Sequence, residues 1–108
     1  EISTTATTKI SQMQNGNNIN TYEFDSIELG LNRVSLEDLQ GGEPVENAEI
    51  IKSILNGEKG PKRDIVLLNA AAGIVVGGQA ATLKDGLESA KMSVDSGVAL
   101  NILNQLVV

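Results

Sequence analysis

The chain has 108 residues, 41% of them hydrophobic, and a formal net charge of −6 from 8 Lys plus Arg against 14 Asp plus Glu. This length suits one compact unit at most, and the hydrophobic content argues against a disordered chain. Cys and His are both absent, which excludes a disulfide scaffold, a thiolate metal site and histidine acid–base catalysis. Any metal must therefore be a hard cation on oxygen ligands. Net acidity and 2% aromatic residues argue against a nucleic-acid partner.

The core must be built from aliphatic side chains, because the sequence holds one Phe, one Tyr and no Trp. Aromatic rings normally supply much of the buried area of a small core. An aliphatic core of this size is more typical of part of a larger core than of a complete one. Since residue 1 is Glu rather than Met, we expect the chain to be cut from a longer protein.

No targeting or membrane segment is evident. Residues 1–5 have neither a basic start nor an apolar stretch. The longest apolar run, residues 65–78, is interrupted by Asn69 and is shorter than the ~20 residues that a membrane span needs. We therefore expect a cytoplasmic protein with no membrane partner.

Residues 1–24 are predicted to be extended, because β-branched residues and Tyr are abundant there. The turn signal Asn15-Gly16-Asn17-Asn18 separates two alternating segments, 9–13 and 19–24. This pattern predicts a β-hairpin.

Residues 35–106 are predicted to be helical, in about four segments. The start signals are Ser35, Pro44, Asp64 and Thr82. The stop signals are Gly41-Gly42, Asn56-Gly57 and Gly77-Gly78, with a kink or break at Gly97. Residues 57–63 are predicted to be a loop, and the apolar stretch 65–76 favours a buried helix over a buried strand. An apolar stripe runs along the last segment through Leu83, Leu87, Ala90, Val94, Val98, Ile102 and Leu106.

Two sets of charged residues are candidates for ligand binding. The carboxylate of Glu1, at the end of a strand, could hold Mg²⁺ between the protein and a substrate phosphate, although a terminal Glu is ordinarily only solvated. Lys59, Lys62 and Arg63 could meet an anion at a helix N-terminus, but their spacing is not that of a P-loop. A solvated loop is the alternative for these three cations.

Three sets of uncharged residues are weaker candidates. They are the pairs Gly41-Gly42 and Gly77-Gly78, the amide of Asn69, and the hydroxyls of Thr4, Thr5, Thr7 and Thr8. Helix termination explains the glycines, a hydrogen bond to backbone explains Asn69, and a Thr-rich strand explains the hydroxyls. Lys9 has no evident activating partner, so no nucleophile–base pair can be assembled.

Short motifs follow one another along essentially the whole chain in an order that is hard to produce by chance. They are Glu1-Ile2-Ser3, Gly30-Leu31, residues 35–39 with Gly41-Gly42, Glu46-Asn47-Ala48, Ile51, Leu55, Gly57, residues 60–72, Asp95-Ser96-Gly97, Ala99-Leu100 and Leu103. The strongest is the segment 60–72. In this order the motifs resemble the C-terminal part of the anthranilate phosphoribosyltransferase family.

The resemblance implies both a fold and an activity. Members of this family have a small helical domain and a large α/β domain of the nucleoside phosphorylase/phosphoribosyltransferase type. They transfer the phosphoribosyl group of phosphoribosyl pyrophosphate to the amine of anthranilate in tryptophan biosynthesis, assisted by Mg²⁺. Residues 1–108 would be an α/β fragment: a strand and hairpin over 1–24, then helices over 35–106. The N-terminal helical domain would be absent, and the parent enzyme would be a homo-oligomer.

The resemblance also gives Glu1 a role. The family binds Mg²⁺ through an adjacent Asp-Glu pair ahead of Ile-Ser or Leu-Ser; Glu1 matches the Glu, and the Asp would precede residue 1. The family's glycine-rich diphosphate loop and anthranilate-binding residues lie upstream, so no catalytic or cofactor-binding residue is implied here. A lone carboxylate binds Mg²⁺ poorly, and we expect the isolated chain to be inactive. The alternatives are a free-standing interaction or regulatory module, and a phosphate-binding module acting through Lys59, Lys62 and Arg63.

Overall fold

Two antiparallel strands and four α-helices follow one another in the computed structural model, which describes residues 1–107. The elements are β1 (Thr8–Gln14), β2 (Asn18–Phe24), α1 (Pro44–Leu55), α2 (Pro61–Val76), α3 (Leu83–Asp95) and α4 (Val98–Leu106). Two 3-10 turns, Ser26–Leu29 and Glu37–Leu39, lie between β2 and α1. The α/β class and the expected number of helices are confirmed.

The hairpin is fixed by its turn. Asn15 and Gly16 adopt positive φ angles of 48° and 87°, a conformation that Asn and Gly tolerate best and that suits the twist of two paired strands. The register pairs Thr8 with Phe24 and Gln14 with Asn18. Phe24 is buried in the core. The predicted hairpin is confirmed.

The strand expected ahead of the hairpin is absent, because residues 1–7 pair with no other strand in the described chain. Side chains bind the backbone there instead. The Ser3 amide donates to Thr8 Oγ1 at 3.0 Å, and the Thr5 amide donates to Ser3 Oγ at 3.0 Å. Short hydroxyl side chains compete in this way with the hydrogen bonds of a β-ladder. The prediction of extended structure over the whole of 1–24 is therefore wrong for its first seven residues.

Helix α2 begins one turn earlier than its sequence suggested. Gly60 has a φ of 140°, which a residue with a side chain rarely adopts, and Pro61 supplies the fixed φ of a first helical residue. Asp64 therefore lies inside the helix rather than capping it, and the predicted loop 57–63 ends at Gly60. As a result Lys62 and Arg63 belong to the first turn of α2.

Other helix boundaries follow the capping residues. Pro44 is the first residue of α1. Thr82 Oγ1 accepts a hydrogen bond from the Asp85 amide at 3.1 Å and starts α3. Gly97, with a φ of 83°, separates α3 from α4. Only the helix predicted after Ser35 is shorter than expected: it is the single 3-10 turn Glu37–Leu39.

The core lies between α2, α3 and the N-terminal third of the chain. Its buried apolar residues are Ile2, Phe24, Leu31, Leu67, Leu68, Ala71, Leu87, Ala90 and Val94. Only one face of α2 is buried, since Val66 and Val76 are 44% and 89% exposed. The apolar stripe predicted through α3 does not continue as a buried face in α4, where Ile102 and Leu106 are 52% and 75% exposed. The left-handed Gly97 redirects the chain at that point.

Helices α2 and α3 approach closely at Gly86. A Cβ atom on Gly86 would lie 2.7 Å from the carbonyl oxygen of Ala71. Ala71 itself is fully buried. The space for this contact exists only because Gly86 has no side chain.

We expect Gly86→Ala to lower the free energy of unfolding by about 1–3 kcal/mol, because the new methyl group would displace backbone that cannot rotate away. Urea unfolding followed by circular dichroism measures this change. Gly73→Ala is the matched control: Gly73 is exposed in α2, and a Cβ atom there would meet nothing within 4 Å. This control should gain about 0.5–1 kcal/mol from the better helix propensity of Ala. Equal stability of Gly86→Ala and wild type would contradict the contact.

Candidate functional site

The side chain of Asn69 binds the backbone of Ile2. Asn69 Oδ1 accepts a hydrogen bond from the Ile2 amide at 2.8 Å, and Asn69 Nδ2 donates to the Ile2 carbonyl at 2.8 Å. Nδ2 also donates to the carbonyl of Ile65 at 3.0 Å. Both protons of the amide nitrogen are thereby used, and the reversed orientation would oppose donor to donor. The backbone contact predicted for Asn69 is confirmed.

Glu1 lies next to this contact. Its side chain is exposed, and it forms no salt bridge with any described residue. Among residues 1–107, no group of three or more acidic residues could hold a metal ion. A carboxylate of this kind has the oxygen chemistry that Mg²⁺ prefers, and Mg²⁺ is commonly shared between one or two carboxylates and substrate phosphates. Glu1 therefore fits Mg²⁺ as one ligand of a shared site and not as a complete site.

Arg63 is engaged in a structural ion pair and is not free to bind an anion. Its two terminal nitrogens lie 2.9 and 3.1 Å from the two carboxylate oxygens of Asp95. The Arg63 side chain is 6% exposed and that of Asp95 is 54% exposed. The pair ties the first turn of α2 to the last residue of α3. The hydrogen bond from Arg63 holds the pKa of Asp95 below its usual value.

The other two predicted cations share a cleft with acidic residues. Lys59 and Lys62 line a cleft of about 350 Å³ between α1 and the start of α2. Three carboxylates line the same cleft: Asp38, Glu49 and Glu58. Arg63 lines this cleft as well, so the structure does bring the three predicted cations together. The mixed charge of the cleft disfavours an anion, and Arg63 is already paired with Asp95, so we assign no phosphate site to these residues.

Burial shifts the pKa of one further carboxyl group in this region. Asp64 is half-buried in the first turns of α2. Desolvation raises the pKa of Asp64, while the positive charges of Arg63 and Lys91 act in the opposite direction. Asp64 thus favours its protonated form in the folded chain more than a solvated Asp does.

The two glycine pairs lie at helix boundaries, and the geometry of these boundaries explains both pairs without a ligand. Gly41 and Gly42 leave room for side chains that cap the start of α1, because the Gly42 amide donates to Asn47 Oδ1 at 2.8 Å. The 3-10 turn that was predicted to stop at this pair ends at Leu39 with Gln40 as its C-cap, so the pair lies just after that end as well as at the start of α1. Gly77-Gly78 does end α2, with a left-handed φ of 77° at Gly78.

The threonine hydroxyls do not converge on one site. Thr8 Oγ1 accepts from the Ser3 amide and Thr5 Oγ1 contacts Ser3 Oγ. Thr7 is exposed, whereas Thr4 is 1% exposed and its hydroxyl has no hydrogen-bond partner among the described residues. Ser26 Oγ is likewise buried and has no hydrogen-bond partner among the described residues. We therefore assign no phosphate contact to this segment.

Sequence patterns did not indicate two of the contacts that shape this region. Asp95 is 32 residues from Arg63, and no local motif links the two. Gly86 sits inside an amphipathic helical pattern, where its only signal was a glycine at a position that helices disfavour. Within residues 1–107, no helix is both long and apolar enough to cross a membrane.

The Arg63–Asp95 pair leads to a prediction about acid stability. Because the folded-state pKa of Asp95 is lowered, its ionised form stabilises the fold above the unfolded pKa, and this contribution disappears as the pH falls through the folded value. Asp95→Asn should lower the thermal midpoint at neutral pH, by an amount that shrinks in acid. Thermal unfolding of both proteins across the acid range measures this.

Arg63→Met is the comparison variant for this experiment. It removes the buried charge together with its need for a partner, and we expect a smaller loss than for Asp95→Asn, which leaves the buried guanidinium without its counter-charge. A difference between Asp95→Asn and wild type that stayed constant as the pH fell would contradict the assignment.

Comparison by sequence and comparison by structure both relate the chain to the same group of known proteins. Residues 1–100 match the glycosyl transferase family, a/b domain. The anthranilate phosphoribosyltransferases of Acetivibrio thermocellus and Brucella ovis are 48% and 44% identical over 107 residues, which are 99% of this chain and 31% of each relative. The crystal structure of the anthranilate phosphoribosyltransferase of Thermus thermophilus is 41% identical, with a TM-score of 0.75 over 79% of this chain and 26% of that one. The chain therefore belongs to the glycosyl transferase family with this a/b domain, and spans 31% of the length of the curated relatives that it matches.

Proposed function

We propose that this chain is part of an anthranilate phosphoribosyltransferase. The whole enzyme would transfer the phosphoribosyl group of phosphoribosyl pyrophosphate to the amine of anthranilate, a step of tryptophan biosynthesis. The observation that carries this proposal is 44–48% identity over 99% of the chain to enzymes of that name. The structural similarity to the Thermus thermophilus enzyme supports it.

The chain's contribution to such a reaction would be a positioned carboxylate. Glu1 is exposed and lies beside a backbone segment fixed by Asn69. Mg²⁺, when bound, would neutralise charge on the diphosphate that leaves during the transfer. Glu1 would hold this ion together with ligands from the rest of the enzyme. No buried nucleophile is required, since transfers of this kind depend on positioning and on electrostatic stabilisation.

We propose that the isolated chain has no transferase activity. It spans 31% of the length of its relatives, and within the described residues no group of three or more acidic side chains could hold a metal ion. We also propose that the parent enzyme is cytoplasmic and forms homo-oligomers, as expected from the sequence and the resemblance. We do not propose a phosphate-binding module, because Arg63 is paired with Asp95 and acidic residues share the cleft of Lys59 and Lys62.

A chimeric enzyme tests the proposed activity. The matched segment of the Acetivibrio thermocellus enzyme would be replaced by residues 1–108, and loss of anthranilate fluorescence would be followed with phosphoribosyl pyrophosphate and Mg²⁺. We expect activity within about tenfold of the parent enzyme, because surface and loop differences seldom disturb a shared fold. The isolated chain, assayed in the same way, should be inactive. A chimera that folds but does not consume anthranilate would contradict the proposal.

The isolated chain is also expected to self-associate. Large apolar side chains are exposed on several helices, among them Val45 at 76%, Val76 at 89% and Leu106 at 75%. Exposed apolar surface of this extent favours association in water. Sedimentation velocity over a range of concentrations measures it, and a monomer at every concentration would contradict the expectation.

A further inference from the structure

The Asn69–Ile2 contact spans 67 residues of sequence and joins the chain's first residues to the middle of α2. A single carboxamide engages both the N–H and the C=O of Ile2. This is the pair of hydrogen bonds that a residue of a neighbouring strand would normally provide. Residues 1–7 have no strand partner among the described residues, so Asn69 takes that place at Ile2.

This contact restricts the backbone of Glu1. The N–H of Ile2 lies in the same rigid peptide plane as the Cα atom of Glu1. A hydrogen bond to that N–H therefore restrains the position of Glu1 Cα. Rotation about the Cα–C bond of Glu1 and about its side-chain bonds then sets where the carboxylate lies. The Ile2 side chain is 9% exposed and belongs to the core, which anchors the plane from its other end.

The carboxamide is itself held rigidly. The bond from Nδ2 to the Ile65 carbonyl fixes its orientation within α2. Leu67 and Leu68, on the buried face of the same helical turn, are 1% and 0% exposed. A functional carboxylate is best placed by groups whose own conformations are locked in this way.

We propose that Asn69 is a positioning residue for Glu1, and that it sets the affinity of the metal-bound diphosphate site through the Ile2 backbone. The inference rests on the proposed function, because the role of Glu1 as a Mg²⁺ ligand belongs to that proposal. Asn69 itself touches neither metal nor substrate. Its effect reaches the site through one peptide plane.

The test uses Asn69→Asp in the chimeric enzyme. This variant keeps the size of the side chain and one oxygen for the Ile2 amide, but it turns a carboxylate oxygen toward the carbonyls of Ile2 and Ile65. We expect the Mg²⁺ concentration for half-maximal rate to rise by about tenfold, with kcat at saturating Mg²⁺ largely retained. Mn²⁺ binding in the presence of pyrophosphate, measured by electron paramagnetic resonance, should weaken to a similar extent without turnover.

A double-mutant cycle with Glu1→Gln separates positioning from general damage. If Asn69 acts through Glu1, Asn69→Asp should add less than about twofold to the Mg²⁺ requirement of Glu1→Gln, because the carboxylate that it positions is already absent. Asp95→Asn is the control for lost stability: it should lower the melting temperature and leave the Mg²⁺ requirement unchanged.

The outcomes of this experiment are distinct. Equal metal requirements for Asn69→Asp and the unmodified chimera would overturn the inference while leaving the proposed function intact. Additive effects in the cycle would do the same, since they would show that Asn69 acts independently of Glu1. An unmodified chimera that folds but is inactive would instead overturn the proposed function. If Asn69→Asp fails to fold, the Mg²⁺ requirement is compared instead between the unmodified chimera and Asn69→Ser, which retains one acceptor and one donor.

Discussion

The packing of α2 against α3 is the contact on which the rest of this structure depends. Leu67, Leu68 and Ala71 form the least exposed face of the molecule, and Gly86 lets the two backbones meet at Ala71. The hairpin adds Phe24 to the same core, and the N-terminal segment adds Ile2. Each peripheral element is therefore placed by what it contacts on α2 or α3. The chain has few aromatic residues, whose large rings fill much of the core in other small domains. Here the backbones of α2 and α3 lie close together instead, and this contact fills part of that space.

Two polar side chains on α2 connect this core to the rest of the chain. Arg63 reaches the end of α3 and Asn69 reaches the start of the chain. Both are costly to bury alone, and both are held by hydrogen bonds to their partners. An ion pair or amide in such a place contributes less to net stability than to the choice of one arrangement over others. In this chain the arrangement includes the backbone of Ile2, which both groups of the Asn69 amide bind.

The parts of the fold that sequence reasoning predicted correctly are those decided by local chemistry. The hairpin follows from Asn15 and Gly16, and the start of α3 follows from Thr82, because turns and caps are made by neighbouring residues. The start of α2 lies one turn before the predicted cap at Asp64, because Pro61 was interpreted as part of a loop and not as a first helical residue. The backbone contact of Asn69 was predicted as a type of interaction, but its partner Ile2 could not be identified.

Non-local contacts account for what was missed. Whether residues 1–7 form a strand depends on a pairing partner and not on their own propensity. Arg63 is indistinguishable in sequence from a solvated cation until Asp95 is brought beside it. Glu1 was only a weak candidate from its own chemistry, because a lone carboxylate has no spacing to recognise, and the resemblance to a family supplied its role. Exposure of α4 likewise follows from the direction that Gly97 gives the chain, which its apolar periodicity does not encode.

The long sequence separation of the Asn69–Ile2 contact has a consequence for the order of folding. The hairpin and the four helices join residues close in sequence and can form early, whereas the Ile2 contact closes a loop of 67 residues and is entropically costly until α2 is in place. The first residues of the chain should therefore dock late, onto a helical pair that is already assembled. In the enzyme proposed above, Glu1 would then reach its position only after α2 and α3 have packed together.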